Sequence, residues 1–277
     1  MAERPIPRRS RRVLRVLVLG GGTPSTSLLL MSLAGQLPQL DAVVFPDTGF
    51  ERRAVAEHLG RLARVARSAG VASCRVGAGS LRDDALDPAS HDWAGLPLLV
   101  ADGDGRARRL PARCATRYRA APVGRTVGEL WRTAGRPQVE LWLGLAREDA
   151  ARAPRVDAAP VRWRFPLIER GLSRSDCQRW LAARGWAAPS SGCVGCPLQA
   201  DLRWAELRDT TPDQWAEAVA FDRAIRRGPP RAGGPLVRGE AFVHRSLVPL
   251  DQVALDGPAD RAVIDGFGNE REGMCAT

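Results

Sequence analysis

The sequence predicts an α/β protein: a Rossmann-like, doubly wound parallel sheet with a C-terminal helical, cysteine-containing appendage. Three observations lead there. Short apolar runs alternate with amphipathic helical stretches through residues 13–145, the pattern of a parallel sheet covered on both faces. The first apolar run breaks into three glycines and then into hydroxyl residues, in VLVLGGGTPSTS at 16–27. From about residue 162 the alternation gives way to helices around a Cys-x-x-Cys loop.

Along the chain, residues 13–19 read as a buried strand and 25–33 as the helix after it. Residues 41–46, DAVVFP, form a second strand, and 52–68 a strongly periodic amphipathic helix. Short strands are expected at 71–76 and 96–100, with the acidic stretch 81–93 between them a loop and DGDG at 102–105 a hairpin turn. A helix at 122–133 and a buried strand at 139–145, VELWLGL, follow. Further on, 174–184 reads as a helix with Ser173 as N-cap. The loop APSSGCVGCPLQ leads to helices near 199–207 and 212–227, and RRGPPRAGGP is a linker. The expected organisation is an α/β domain over 1–160, a helical cysteine-motif region over 161–230 packed on it, and an irregular tail over 231–277.

At 277 residues the chain can bury a proper core. A hydrophobic fraction of 44% with 28 glycines suits a globular enzyme rather than a disordered or collagen-like chain. No apolar run approaches ~18 residues, so no membrane span is expected. The N-terminus is basic and then apolar, but Arg15 interrupts the run; a basic arm before a first strand fits better than a signal peptide, and a cytoplasmic location follows. The net charge is +10, and all 41 basic residues are arginine. Without lysine, a G-x-x-x-x-G-K-[ST] phosphate loop and Schiff-base chemistry are excluded. A pI near 10.8 favours polyanionic partners such as nucleotides or nucleic acid. The arginines are scattered, apart from Arg8, Arg9, Arg11 and Arg12. Six cysteines argue for metal or redox chemistry rather than disulfides.

The glycine turn has several readings. In a dinucleotide motif, Gly20 and Gly22 fill the first two glycine positions and Asp47 stands near the acidic place, while Ser25 occupies the third. Alternatively, Thr23, Ser25, Thr26 and Ser27 suit phosphate oxygens held against backbone N–H groups at a helix N-terminus. A tight turn with capping serines is the plainest option. FPDTGFE at 45–51 adds weight to ligand binding: it puts Asp47, Thr48 and Gly49 at the carboxyl end of the second strand, beside the first turn, where open α/β sheets bind ligands.

Cys193 and Cys196 have the spacing that lets two thiolates converge on one ion, as in zinc and iron–sulfur sites, or form a thioredoxin-like redox pair. No histidine lies nearby, which favours all-sulfur ligation. Arg113 and Arg117 flank Cys114 and offer positive charge to an anion. Cys74 reads as core, His58 as a helix-surface residue, and His244 carries no assigned role.

These segments together resemble the phosphoadenosine phosphosulfate reductase-like branch of the adenine nucleotide alpha hydrolase (ATP pyrophosphatase, PP-loop) superfamily, which has a HUP-type sheet. That branch carries Ser-Gly-Gly-x-Asp-Ser after strand one and Asp-Thr-Gly after strand two. Gly21, Gly22 and Ser25 match the first element and Asp47-Thr48-Gly49 the second; Gly20 and Pro24 depart from it, and a proline removes an N–H donor. RCATRY at 113–118 is similar to the branch's Arg-x-Cys-Thr-x-x-Tyr element, and LWLGLAREDAAR at 141–152 to its strand-Gly…Asp-Glu-x-x-Arg segment. FPLIERGLSRSDC and SGCVGCP resemble its Pro-Leu…Arg-x-Asp-Cys and Cys-x-x-Cys-Pro elements.

The resemblance implies ATP with Mg²⁺ across Gly20, Gly21, Gly22, Thr23, Ser25 and Thr26, with Asp47, Thr48 and Gly49 beside it and Asp47 the catalytic candidate. Attack on the α-phosphate would adenylate an acceptor. It further implies Cys114, Cys177, Cys193 and Cys196 as a four-thiolate site for a [4Fe–4S] cluster, or for zinc, and Arg113, Arg117 and Arg152 as substrate or anion contacts. The implied partners are an adenine nucleotide and a nucleic acid or sulfur-donor protein. Two other readings stand beside this one. The first is a non-catalytic nucleotide-fold protein that binds nucleic acid or a partner. The second is a phosphoadenosine phosphosulfate reductase-like oxidoreductase, although Cys275 lacks the following histidine of that enzyme's C-terminal motif.

Overall fold

The structure, a computed structural model, describes residues 13–89, 93–101, 107–153, 157–226 and 240–255. The chain runs β1 (Val13–Val18), α1 (Thr23–Leu33), β2 (Ala42–Asp47), α2 (Arg53–Ser68), β3 (Ala72–Gly77), α3 (Leu81–Leu86), β4 (Leu99–Ala101) and β5 (Ala107–Arg109). It continues through α4 (Ala121–Thr133), β6 (Gln138–Leu143), β7 (Val161–Arg164), α5 (Pro166–Glu169), α6 (Arg174–Ala182), α7 (Asp201–Thr210), α8 (Pro212–Ile225) and β8 (Ala241–Phe242).

Five strands form a parallel sheet in the order β3-β2-β1-β6-β7. The central strands are mostly apolar because both of their faces are covered; Arg15 of β1 is the exception that pairs with Glu140 of β6, at 3.1 Å. One face packs Leu17, Leu19, Val43 and Phe45 beneath α1, α2 and α6. The other packs Val16, Val18, Val44 and Leu141 beneath Val123 and Val127 of α4. This is the doubly wound α/β architecture expected. Strand order reverses between β1 and β6, the kind of switch point at whose carboxyl ends open α/β sheets form their ligand crevice.

A second, antiparallel sheet, β5-β4-β8, belongs to a separate hydrophobic cluster with α3, α7, α8 and the Cys193–Cys196 loop. Several expectations are corrected here. The acidic stretch 81–93 begins with a helix, α3, because Ser80 accepts a hydrogen bond from Asp83 N at 3.2 Å and caps it. The strand expected at 96–100 pairs with β5 and β8, outside the main sheet. β7 begins at Val161 and is the fifth strand, so the α/β unit runs past residue 160. Residues 240–255 are not irregular: β8 pairs with β4, and the fully buried Asp222 accepts N–H bonds from Val243 (3.0 Å) and Leu250 (3.1 Å) while pairing with Arg226. The DGDG turn, the basic arm and Cys275 lie outside the described residues.

Helix α6 is fixed by a capping box. The Ser173 hydroxyl accepts from Asp176 N, and the Asp176 carboxylate accepts from Ser173 N at 2.8 Å. Ser173→Ala should therefore cost about 1 kcal/mol, measurable as a Tm fall of about 2–4 °C.

Candidate nucleotide site

The turns after β1 and β2 lie at the same edge of the sheet. Leu19 N, next to the first turn, donates to Val44 O at 2.9 Å, and parallel pairing aligns the two strand ends. The first turn is squeezed from both sides. Gly21 has φ +82°, and a Cβ there would lie 3.1 Å from Leu59 and Val55 of α2. A Cβ on Gly144, just beyond β6, would lie 2.6 Å from Ser25 N. Only glycines allow such close approach in these backbone shapes. Gly22 is the N-cap of α1, Pro24 sits in its first turn, and no acidic residue follows there.

The hydroxyls of this turn face inward. Ser25 Oγ donates to Gly22 O (3.3 Å) and Ser27 Oγ to Thr23 O (2.9 Å). Thr26 Oγ1 lies 3.0 Å from His58 Nε2. Ser25, Thr26 and Ser27 are fully buried, so what this segment offers a phosphate is backbone N–H groups of the first helical turn, fewer by one at Pro24. The expectation for His58 is overturned: it is 2% exposed, edge-on to Trp186 and tied to Thr26. Burial, with Arg61 beside it, lowers its pKa to about 4.

The second turn is held from three directions. Asp47 Oδ1 accepts from Gly49 N (2.9 Å), and its Oδ2 accepts from Arg75 Nε (2.7 Å). Thr48 O accepts from Leu81 N (2.7 Å). Gly49 has φ +69°, and a Cβ there would lie 2.8 Å from Ser80 Cα, so the turn and the cap of α3 fit only around glycine. From the third side, Val194 N donates to Phe50 O (2.8 Å), and Glu51 bridges Cys193. The cysteine loop is thus docked on the turn.

Under this docking lies a buried polar cluster. Thr48 Oγ1 donates to Glu51 Oε1 (2.9 Å) and lies 3.3 Å from Cys193 Sγ. Arg119 pairs with Glu51 at 3.1 Å, both side chains only 6% exposed, and reaches Cys193 Sγ at 3.6 Å. Arg52, also buried, is held by Gln199 and by Arg203 O (3.0 Å). Desolvation lowers its pKa against the opposing pull of Glu206. Sequence reading missed Glu51, Arg52 and Arg119. Arg119 turns inward through the π-helical turn Thr116–Ala120, which no local pattern announces.

The other expected site residues are dispersed. Cys114, Cys193 and Cys196 belong to the cluster around the second sheet, but Cys177 is fully buried in the cluster under α1 and α2. Among the described residues no group of three or more His, Cys, Asp or Glu side chains could hold a metal ion. Cys177, on α6, thus packs in a different core cluster from Cys114, Cys193 and Cys196. Arg113 packs on Gly95; Arg117, 52% exposed, pairs with Asp84 (3.3 Å); Arg152 pairs with Asp149 (2.7 Å). His244 is buried, 3.1 Å from Asp201. Among the described residues no helix is long and apolar enough to cross a membrane.

The chain matches no protein-family model and no curated protein. Among solved structures it is similar to phosphoadenylyl-sulfate (PAPS) reductase from Candida auris in a phosphate complex, at 13% identity and a TM-score of 0.42, over 65% of this chain and 80% of that one. The fold rests on the sheet topology itself: a doubly wound α/β protein whose strand order reverses between β1 and β6.

Three outcomes follow. Gly49→Ala should lose about 1–3 kcal/mol through backbone strain, read as a shifted denaturation midpoint. Glu51→Ala removes the carboxylate partner of the buried Arg119 cation and should cost about 3–5 kcal/mol. Glu51→Ala/Arg119→Met should lose less than the sum of the single changes, since the buried charge is gone. His58 titrates near 6.5 when unfolded and about 4 when folded, so the unfolded state protonates first. Its contribution is full above pH 6.5 and falls, by ~3 kcal/mol, as pH drops towards 4. Urea midpoints at pH 7.5 and pH 4.5 should therefore differ more for wild type than for His58→Gln.

Proposed function

We propose that the protein is a nucleotide-binding enzyme that takes ATP into the crevice at the carboxyl ends of β1, β2 and β6 and transfers the adenylyl group to an acceptor. The observation that carries this reading is the convergence of the two turns: residues 20–22, with left-handed Gly21, and Asp47-Thr48-Gly49 sit side by side at one sheet edge. The polyphosphate would rest on backbone N–H groups at the start of α1, where the helix dipole also favours negative charge. The first turn has no carboxylate, so Mg²⁺ would arrive on the phosphates.

In the transfer, an acceptor oxygen or nitrogen would attack the α-phosphorus as the bond to the bridging oxygen breaks, and pyrophosphate would leave. The acceptor's proton passes to water. Asp47 has one oxygen on Gly49 and the other on Arg75, which suits it to shaping the turn rather than to moving that proton. Cys193, within 3.3 Å of Thr48, puts a thiol next to the nucleotide turn and supports a sulfur-handling acceptor.

The test is equilibrium dialysis with ATP and Mg²⁺, followed by assay of AMP and pyrophosphate with small-molecule, RNA and sulfur-carrier acceptor pools. Binding with release of pyrophosphate is expected, the AMP being recovered on the acceptor or, once a second nucleophile displaces it, free. Gly21→Val, which forces a side chain against Leu59 and Val55, should weaken binding by about tenfold or more in protein whose circular dichroism is unchanged. Absence of ATP binding overturns the proposal. Binding without turnover by any acceptor would favour the non-catalytic nucleotide-fold alternative.

A further inference from the structure

A cavity of about 310 Å³ opens between α2 and the edge strand β3, under the sheet face opposite α4. Its construction is amphipathic. The floor is apolar, from Leu19, Val43, Phe45 and Leu59. α2 keeps its large residues, Val55, Leu59 and Leu62, for the sheet, and turns Ala56, Gly60 and Ala63 towards β3. Glycine inside a helix costs about 1 kcal/mol relative to alanine. At Gly60 a Cβ would meet only the Arg64 guanidinium, at 3.9 Å, so packing does not demand the glycine. The small stripe instead keeps the slot open.

The mouth is cationic. Arg64 and Arg67 of α2 and Arg75 of β3 line it. Arg75 is neutralised by Asp47; among the described residues, Arg64 and Arg67 show no carboxylate partner. An apolar slot capped by two uncompensated guanidinium groups selects a molecule with the matching division: a greasy body and one acidic head.

We propose that this cavity is a second ligand site, separate from the nucleotide crevice, for a small amphiphilic anion. The body is one or two apolar rings, limited by the volume, and the head is a carboxylate or phosphate held by Arg64 and Arg67. The site does not depend on ATP binding at the neighbouring turns.

The probes are naphthyl phosphate and naphthoate, titrated by calorimetry against the full chain in low salt, with uncharged naphthol as control. Saturable one-to-one binding is expected for at least one anion, weakening with salt and exceeding that of naphthol by about tenfold or more. Arg64→Gln/Arg67→Gln, both exposed, should remove that advantage, and Ala63→Met, which fills the slot from solvent-accessible helix surface, should abolish binding. Saturating ATP should leave the titration unchanged. The proposal is overturned if neither anion saturates, if both variants bind as wild type does, or if ATP displaces the probe, which would assign it to the nucleotide crevice. Should ATP fail to bind while the probe still does, the adenylating function fails and this site stands.

Discussion

The structure depends on one short segment, the turn of residues 47–51, and on how many elements hold it. β3 supplies Arg75 to Asp47, α3 starts against Gly49, and the cysteine loop makes a backbone bond to Phe50. Each grip uses a different chemical group of the turn, so they do not compete. The first turn is defined in the same way, by glycines pressed between α2 and the loop beyond β6. Such close approach of neighbouring atoms leaves room only for glycine at these positions.

The described C-terminal residues thus brace the carboxyl edge of the sheet. Its cluster includes Phe50 and packs Phe221 edge-on to it at 5.1 Å. Burying Glu51 and Arg119 together beneath the cysteine loop costs desolvation, which their mutual attraction and the Thr48 bond offset. The arrangement ties the position of Cys193 to the conformation of the turn. Anything that moves residues 47–51 moves that thiol as well.

The parallel sheet was legible because buried strands are apolar on both faces and the amphipathic helices are strongly periodic. The two turns at the carboxyl edge of the sheet were legible because glycine and aspartate are used there for backbone reasons. Less visible was everything decided by long-range packing. His58 falls on an interior stripe of α2 only because Trp186, distant in sequence, covers it. Arg119 and Arg117 look equivalent in RCATRYR, and only a local π-turn sends one inward. Cys177 satisfies a motif spacing, yet α6 packs it into the other core. The acidic start of α3 reads as a loop until the Ser80 cap is seen, and residues 240–255 gain order from Asp222, a partner on α8. Spacing locates candidate ligands along the chain, but the rotation of each helix decides which of them meet.

The most direct test of the central claim is backbone hydrogen exchange, resolved by mass spectrometry, with and without saturating ATP and Mg²⁺. The account predicts added protection in peptides spanning residues 20–27 and 47–51 together, extending to the docked loop at 193–196, with little change in β4 and β5. Protection confined to one turn, or appearing only away from both, would contradict it.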